Sequence, residues 1–156
     1  MLERYRALVA AGELRPDPEQ EAAAVRLHRL QQELENGTGG GLLKRLLGRR
    51  APSPRGIYLW GGVGRGKSML MDLFHHNLAI EEKRRVHFHA FMQEVHARLR
   101  EARASESGDP IPPVAAAIAQ GLRCLAFDEM VVNNSADAMI MGRLFRAMIE
   151  DHGLTL

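Results

Sequence analysis

Cysteine, long apolar runs and net charge are all scarce in this chain of 156 residues. With Cys124 as its one cysteine, the chain has no disulfide framework, and a reducing compartment is expected. No apolar run approaches the roughly 20 residues of a membrane-spanning helix. The amino terminus shows no signal-peptide pattern, which makes a cytoplasmic protein the expectation. A net charge of +2, from 21 Lys plus Arg against 19 Asp plus Glu, gives no strong nucleic-acid signal. There is no internal repeat and no long low-complexity tract. What remains is a single soluble α/β domain able to bury a moderate core, provided its sheet is complete.

Against that background one stretch stands out. Ile57 to Ser68 reads IYLWGGVGRGKS, an apolar run feeding the pattern G-x-x-x-x-G-K-[ST]. Ile57, Tyr58, Leu59 and Trp60 read as a buried strand, and Leu70, Met71, Leu73 and Phe74 place apolar residues at helical spacing after the loop. Glycines at 61, 62, 64 and 66 let the backbone curl so that successive N–H groups, those of Val63 and Arg65 included, form an anion nest. Lys67 is placed to neutralise β- and γ-phosphates, Ser68 to ligate Mg²⁺, and a helix opening at Ser68 to aim its positive end at the ligand. The nucleotide-binding candidates are therefore Gly61, Gly62, Val63, Gly64, Arg65, Gly66, Lys67 and Ser68.

A second element follows. Cys124-Leu125-Ala126-Phe127-Asp128-Glu129 is an apolar strand closing in two carboxylates, the form of a Walker B segment. Asp128 is the candidate magnesium ligand together with Ser68, directly or through water, and Glu129 the candidate catalytic base, with Lys67 as its partner in catalysis.

Along the chain, Leu2 to Ala11 reads as a short helix stopped at Gly12. The next begins with Asp17 as N-cap, Pro18 at the first helical position and Gln20 completing a capping-box-like pattern, and it ends at Gly37 with Val25, Leu27, Leu30 and Leu34 on its apolar face. Residues 37–55 turn to Gly, Pro, Ser and basic residues. There Lys44, Arg45, Arg49, Arg50 and Arg55 interleave with Leu42, Leu43, Leu46 and Leu47 without an acid. This segment reads as a connector that packs its leucines on the domain; peripheral contact of residues 42–55 with anionic lipid or an acidic partner is the alternative.

Beyond the loop helix, Arg85 to Ala90 reads as a strand, Phe91 to Ala104 as a helix, 105–113 as a polar loop and Val114 to Gln120 as a short helix. Ser135 to His152 reads as a helix with Ser135 as N-cap. Alternating strands and helices imply right-handed crossovers and a parallel sheet covered by helices. His87 and His89, two apart on the expected strand, face one side, with His96 following. Without Cys or carboxylate nearby they read as packed, hydrogen-bonded residues rather than metal ligands.

These motifs carry a resemblance. YLWGGVGRGKS, the MDLF after it, HFHAFMQEVH from His87 to His96, the FDE of Phe127 to Glu129 and ADAMI from Ala136 to Ile140 together resemble the ZapE / Afg-one-like ATPases. That family consists of P-loop proteins related to the AAA+ group, found in bacterial cell division and in mitochondria. The HFH-x-FM-x-x-x-H spacing is its specific mark; the P-loop is generic. The resemblance implies a P-loop NTPase (AAA-like) α/β fold over residues 56–156, after an N-terminal helical segment at 1–36 and the basic linker at 37–55. It implies ATP and Mg²⁺ as cofactors and hydrolysis coupled to remodelling of a protein partner. In bacteria that partner would be the FtsZ division ring, in mitochondria the role would be quality control, and the full-length parent could be an oligomer. A helicase-loader-like ATPase near DNA and a non-hydrolysing nucleotide-gated binding module are the competing readings.

The chain departs from the family pattern after the acidic pair, with Met130, Val131, Val132, Asn133 and Asn134 where Phe, Gln-Val and a Thr-Asp-like pair are usual. Family members also run to more than twice this length, with an arginine finger and the last strands after the point matching Leu156. The expectation is an N-terminal fragment whose C-terminal part is missing, with Gly153 to Leu156 opening the next strand, between those of the P-loop and Walker B. Such a piece should fold poorly alone and should not turn over ATP.

Overall fold

The computed structural model describes residues 1–37, 53–105, 108–132 and 134–156. The leucine- and arginine-bearing connector expected at 37–55 lies mostly outside these residues, as does Asn133. The chain divides into two compact units, Met1–Glu81 and Glu82–Leu156.

In the first unit, α1 (Leu2–Ala10) ends before Gly12, whose φ of 76° suits glycine. Helix α2 (Pro18–Asn36) begins as its sequence requires: Pro18 fills the first helical position and the Asp17 carboxylate accepts from the N–H groups of Glu19 and Gln20. Gln20 does not reach back to complete a capping box; its amide donates instead to the Arg65 carbonyl oxygen at 3.2 Å. Ala24, Leu27, Leu30 and Leu34 form the buried stripe. Helix α3 (Lys67–Asn77) packs on α2, where Gln31 donates to the Asn77 carbonyl at 2.7 Å and Glu35 accepts from the Ala79 N–H at 2.8 Å.

The expected buried strand at Ile57 to Trp60 is corrected. These residues pair with no strand among the described residues, and Tyr58 and Trp60 are 66% and 84% exposed. β-Propensity gives a segment its tendency, but a strand exists only when a neighbour takes its N–H and C=O groups. No other described segment of Met1–Glu81 is a strand.

The second unit holds a two-stranded parallel sheet of β1 (Lys83–His87) and β2 (Cys124–Asp128). Its register sets Lys83 opposite Cys124 and His87 opposite Asp128. Thr155 bridges to Cys124 in parallel on the other edge of β2, exchanging bonds with Leu125 and Arg123 at 2.9 and 3.0 Å. Thr155 thus makes a single bridge beside β2, the expected position of the next strand, and Leu154 and Thr155 are buried.

Between the strands run α4 (Phe88–Ser105) and α5 (Ile111–Ala119). β1 is shorter than expected because the helix starts at Phe88, not Phe91. Phe88, Phe91, Met92, Val95 and Leu99 form one helical stripe, all buried, and drawing Phe88 and His89 into the helix extends that stripe. His87 and His89 therefore do not share a strand face. α5 begins at Ile111, before its prolines, because proline costs nothing in a first turn, whose N–H groups have no helical acceptor. The final helix is α6 (Ser135–Arg146), continued by a π turn over Ala147–Asp151. Its N-cap is Asn134, not Ser135, with the Asn134 Oδ1 accepting from the Asp137 N–H at 2.7 Å.

The core of this unit joins Phe91, Val95, Leu125, Leu144 and Met148, each essentially inaccessible. Phe127 meets Phe91 edge-on at 4.7 Å and stacks with Phe145 at 5.3 Å. Among the described residues no helix is long and apolar enough to cross a membrane.

Cys124 lies in this core at 3% exposure, and burial pushes its thiol pKa up to about 11. The nucleophilic thiolate is scarce at neutral pH, so Cys124 should stay unlabelled by a disulfide reagent at pH 8 for as long as the protein is folded. Stoichiometric labelling in urea against little in buffer is the expected readout; rapid labelling in buffer would show that β2 is not buried.

Candidate functional site

The candidate residues fall into two groups, one in each unit. In the first, residues 61–66 link the Ile57–Trp60 run to α3. Gly61, Gly64 and Gly66 take φ values of 143°, 79° and 75°, a region that side-chain-bearing residues avoid. Gly66 has a further reason to be glycine, since a Cβ there would lie 2.9 Å from the Gln20 Nε2. Its left-handed turn redirects the chain into α3, which opens at Lys67, one residue before the expected start.

Lys67 does not extend into solvent. Its ammonium donates to the carbonyl oxygens of Gly61 and Gly62 at 2.8 and 2.7 Å, which places the charge against the loop at the positive end of a helix. Val63 at the loop's tip is fully exposed. Arg65 points the other way: its guanidinium pairs with Asp17 at 3.2 Å and Glu19 at 2.5 Å. With Gln20 on the Arg65 carbonyl, the first turn of α2 grips the loop. Sequence reading missed this grip; its only signal was the run of polar residues at Asp17, Glu19 and Gln20, which local reasoning assigns wholly to capping. At such exposure each ion pair contributes well under about 1 kcal/mol, so the grip orients the loop more than it stabilises the fold.

In the second unit, Asp128 ends β2 and is buried to 9% exposure. Its Oδ2 accepts from Arg85 Nη2 at 2.7 Å and its Oδ1 from the Glu129 N–H at 3.1 Å. Glu129 itself is exposed, with φ at 52°, the one positive value among the described non-glycine residues. An L side chain pays about 1 kcal/mol or more to adopt that backbone, and such strain concentrates where chain direction serves function.

The histidines separate. His96 Nε2 lies 2.8 Å from Asp137 Oδ1, while Asp137 Oδ2 accepts from Asn134 at 2.8 Å. The HFHAFMQEVH and ADAMI segments thus meet in one polar contact that ties α4 to the start of α6. His89 bonds Gln93 along its own helix, and His87 is exposed. No cluster of His, Cys, Asp or Glu suited to a metal occurs among the described residues. Glu94, held by Arg84 at 2.6 Å and Arg98 at 3.0 Å, has its pKa lowered chiefly by the Arg84 hydrogen bond, and this trio braces α4 on β1. Ser68 and Asp128 offer a hydroxyl and a carboxylate, the hard oxygen donors that Mg²⁺ prefers.

A glycine loop opening a helix, with a lysine at its first turn, and an α/β unit whose parallel strand β2 closes in Asp128, just before Glu129, are features that P-loop ATPases share. The chain belongs to the AFG1-like ATPase family, whose model matches residues 1–156. It is 39% identical over 165 residues to the cell division protein ZapE of Escherichia coli (strain K12), across 98% of this chain and 43% of that protein. It is 35% identical to an uncharacterized protein of Schizosaccharomyces pombe, across 96% of this chain and 40% of that one. Lactation elevated protein 1 homolog B of Danio rerio is 42% identical over 106 residues, 62% of this chain. The chain thus spans less than half the length of these curated relatives. No solved structure matches it.

The strain at Glu129 is testable apart from catalysis. Glu129→Gly removes the Cβ that disfavours φ of 52° and should raise the thermal midpoint, by an amount equivalent to about 0.5–1 kcal/mol, whereas Glu129→Ala keeps the strain and should not. Equal melting of the Gly and Ala variants would mean that the backbone at this position carries no strain.

Proposed function

We propose that this chain carries the ATP-binding and ATP-hydrolysing residues of an AAA-like P-loop ATPase, Gly61 to Ser68 being the phosphate loop and Asp128 and Glu129 the Walker B acids. The observation that carries the reading is the Lys67 ammonium, held at the mouth of the loop by two of the loop's own carbonyls. A neutral carbonyl is a weaker partner for an ammonium than a phosphate oxygen is, so Lys67 has an incentive to exchange one for the other. The loop N–H groups and the start of α3 then supply the remaining positive potential.

Ser68 in the first unit and Asp128 in the second are each the kind of oxygen donor that would hold Mg²⁺, an ion that when bound would neutralise charge developing on the phosphates. Glu129 accepts a proton from the attacking water. Its exposed carboxylate is free to approach solvent, while its backbone N–H stays fixed to Asp128. Asp128, clamped at both oxygens, is the rigid member of the pair. The division of labour follows from burial: the buried acid positions and the exposed acid exchanges protons.

Because the relative in Escherichia coli is named a cell division protein, we place the parent activity in coupling ATP to a protein partner of the division machinery, FtsZ by the family resemblance, in the cytoplasm. Oligomerisation of the whole protein belongs to the same proposal.

Two variants separate binding from chemistry in the whole protein. Lys67→Ala should weaken binding of a fluorescent ATP analogue by roughly tenfold to a hundredfold, the loss of a charged hydrogen-bond partner. Glu129→Gln should bind ATP like wild type while phosphate release falls by roughly 10²-fold or more. Unaltered affinity in Lys67→Ala removes the phosphate-loop assignment, and wild-type turnover in Glu129→Gln removes the base.

A further inference from the structure

Arg85 lies outside the sequence motifs of the site, yet its guanidinium hydrogen-bonds the buried acid. The parallel register sets Arg85 opposite Ala126 and His87 opposite Asp128. Arg85 and Asp128 are therefore diagonal neighbours on one face of the sheet, within reach of a long side chain. The guanidinium lies 2.7 Å from Asp128 Oδ2, with the two side chains 31% and 12% exposed. At that burial salt screens the pair less than it screens a surface pair. The Glu129 N–H holds the other carboxylate oxygen, so both oxygens already face a positive or positively polarised group.

We propose that Arg85 sets the divalent-metal affinity of Asp128, holding the carboxylate in a fixed orientation while its own positive charge competes with the cation for Oδ2. This rests on the reading of Asp128 as a magnesium ligand. A cation that binds the carboxylate must displace the guanidinium from Oδ2 or accept repulsion from it a few ångströms away, and either cost weakens the metal's hold. Arg85 is then a positioning residue that keeps the metal exchangeable. A purely architectural ion pair between β1 and β2 would leave metal affinity untouched.

The test uses Mn²⁺ as probe, titrated into the protein saturated with a non-hydrolysable ATP analogue, with free Mn²⁺ read by its paramagnetic resonance signal. Arg85→Gln and Arg85→Met, both neutral, should tighten Mn²⁺ binding by about tenfold, and Arg85→Lys, which keeps the charge, should stay within about twofold of wild type. Asp128→Asn is the control on the underlying reading. If Asp128→Asn leaves Mn²⁺ affinity unchanged, the metal role of Asp128 fails. If Asp128→Asn weakens it while the neutral Arg85 variants bind Mn²⁺ as wild type or more weakly, only the role of Arg85 fails. Loss of the cooperative melt in both neutral variants also overturns the proposal, because it makes the pair architectural.

Discussion

The parallel ladder between Lys83–His87 and Cys124–Asp128 is the constraint on which the second unit depends. Parallel neighbours cannot be joined by a tight turn, so the chain must cross over, and α4 and α5 are that crossover. Their apolar stripes, Phe88 to Leu99 and Ile111 to Ala119, bury against Leu125 and its neighbours. The same register brings Arg85 diagonal to Asp128 and leaves Glu129 just past the last paired residue. A single bridge from Thr155 to Cys124 adds two hydrogen bonds on the other edge of β2, at Leu125 and Arg123. Bonds on both edges at Cys124 and Leu125 fix β2 ahead of Asp128, which pairs with His87 alone in the ladder.

Stiffness and adaptability are divided between the two chemical groups. Asp128 is buried and bonded at both oxygens, whereas the glycine loop is exposed along residues 61–65 and anchored by Lys67, Arg65 and Gln20. Those anchors are exposed polar contacts, each small in energy, suited to rearrangement. Glu129 stands between the two regimes, fixed by its backbone and free in its side chain. The positive φ is a cost accepted at a position where the chain must turn the acid outward directly after the ladder ends.

Legibility from sequence followed the range of the interaction. The α2 cap could be read because Asp17, Pro18 and the N–H groups that Asp17 serves are adjacent, and the turn at residues 61–66 because its glycines lie close together. β2 could be read from four apolar or small residues closing in an acid. The start of α4 at Phe88 could not, since no glycine, proline or cap separates Val86 from Phe88 and only the three-dimensional stripe decides where strand becomes helix. α5 began early for a related reason: Pro112 and Pro113 look like loop residues unless they fall in a first turn. Arg65 with Asp17 and Glu19, Arg85 with Asp128, and His96 with Asp137 all join residues more than 40 positions apart, and no local pattern announces them. The apolar run Ile57 to Trp60 shows the opposite failure, a clear local tendency without the ladder partner that would realise it among the described residues.

Amide hydrogen exchange resolved by residue tests in one experiment the pairing of β2 on both its edges and the lack of a ladder at Ile57 to Trp60 among the described residues. The Leu125 amide, bonded to the Thr155 carbonyl at 2.9 Å in the buried core, should exchange only through opening of the whole unit. The amides of Tyr58 and Trp60 should exchange faster by orders of magnitude. Leu125 exchanging as fast as Trp60, or protection of Tyr58 and Trp60 equal to that of Leu125, would contradict this pattern of pairing.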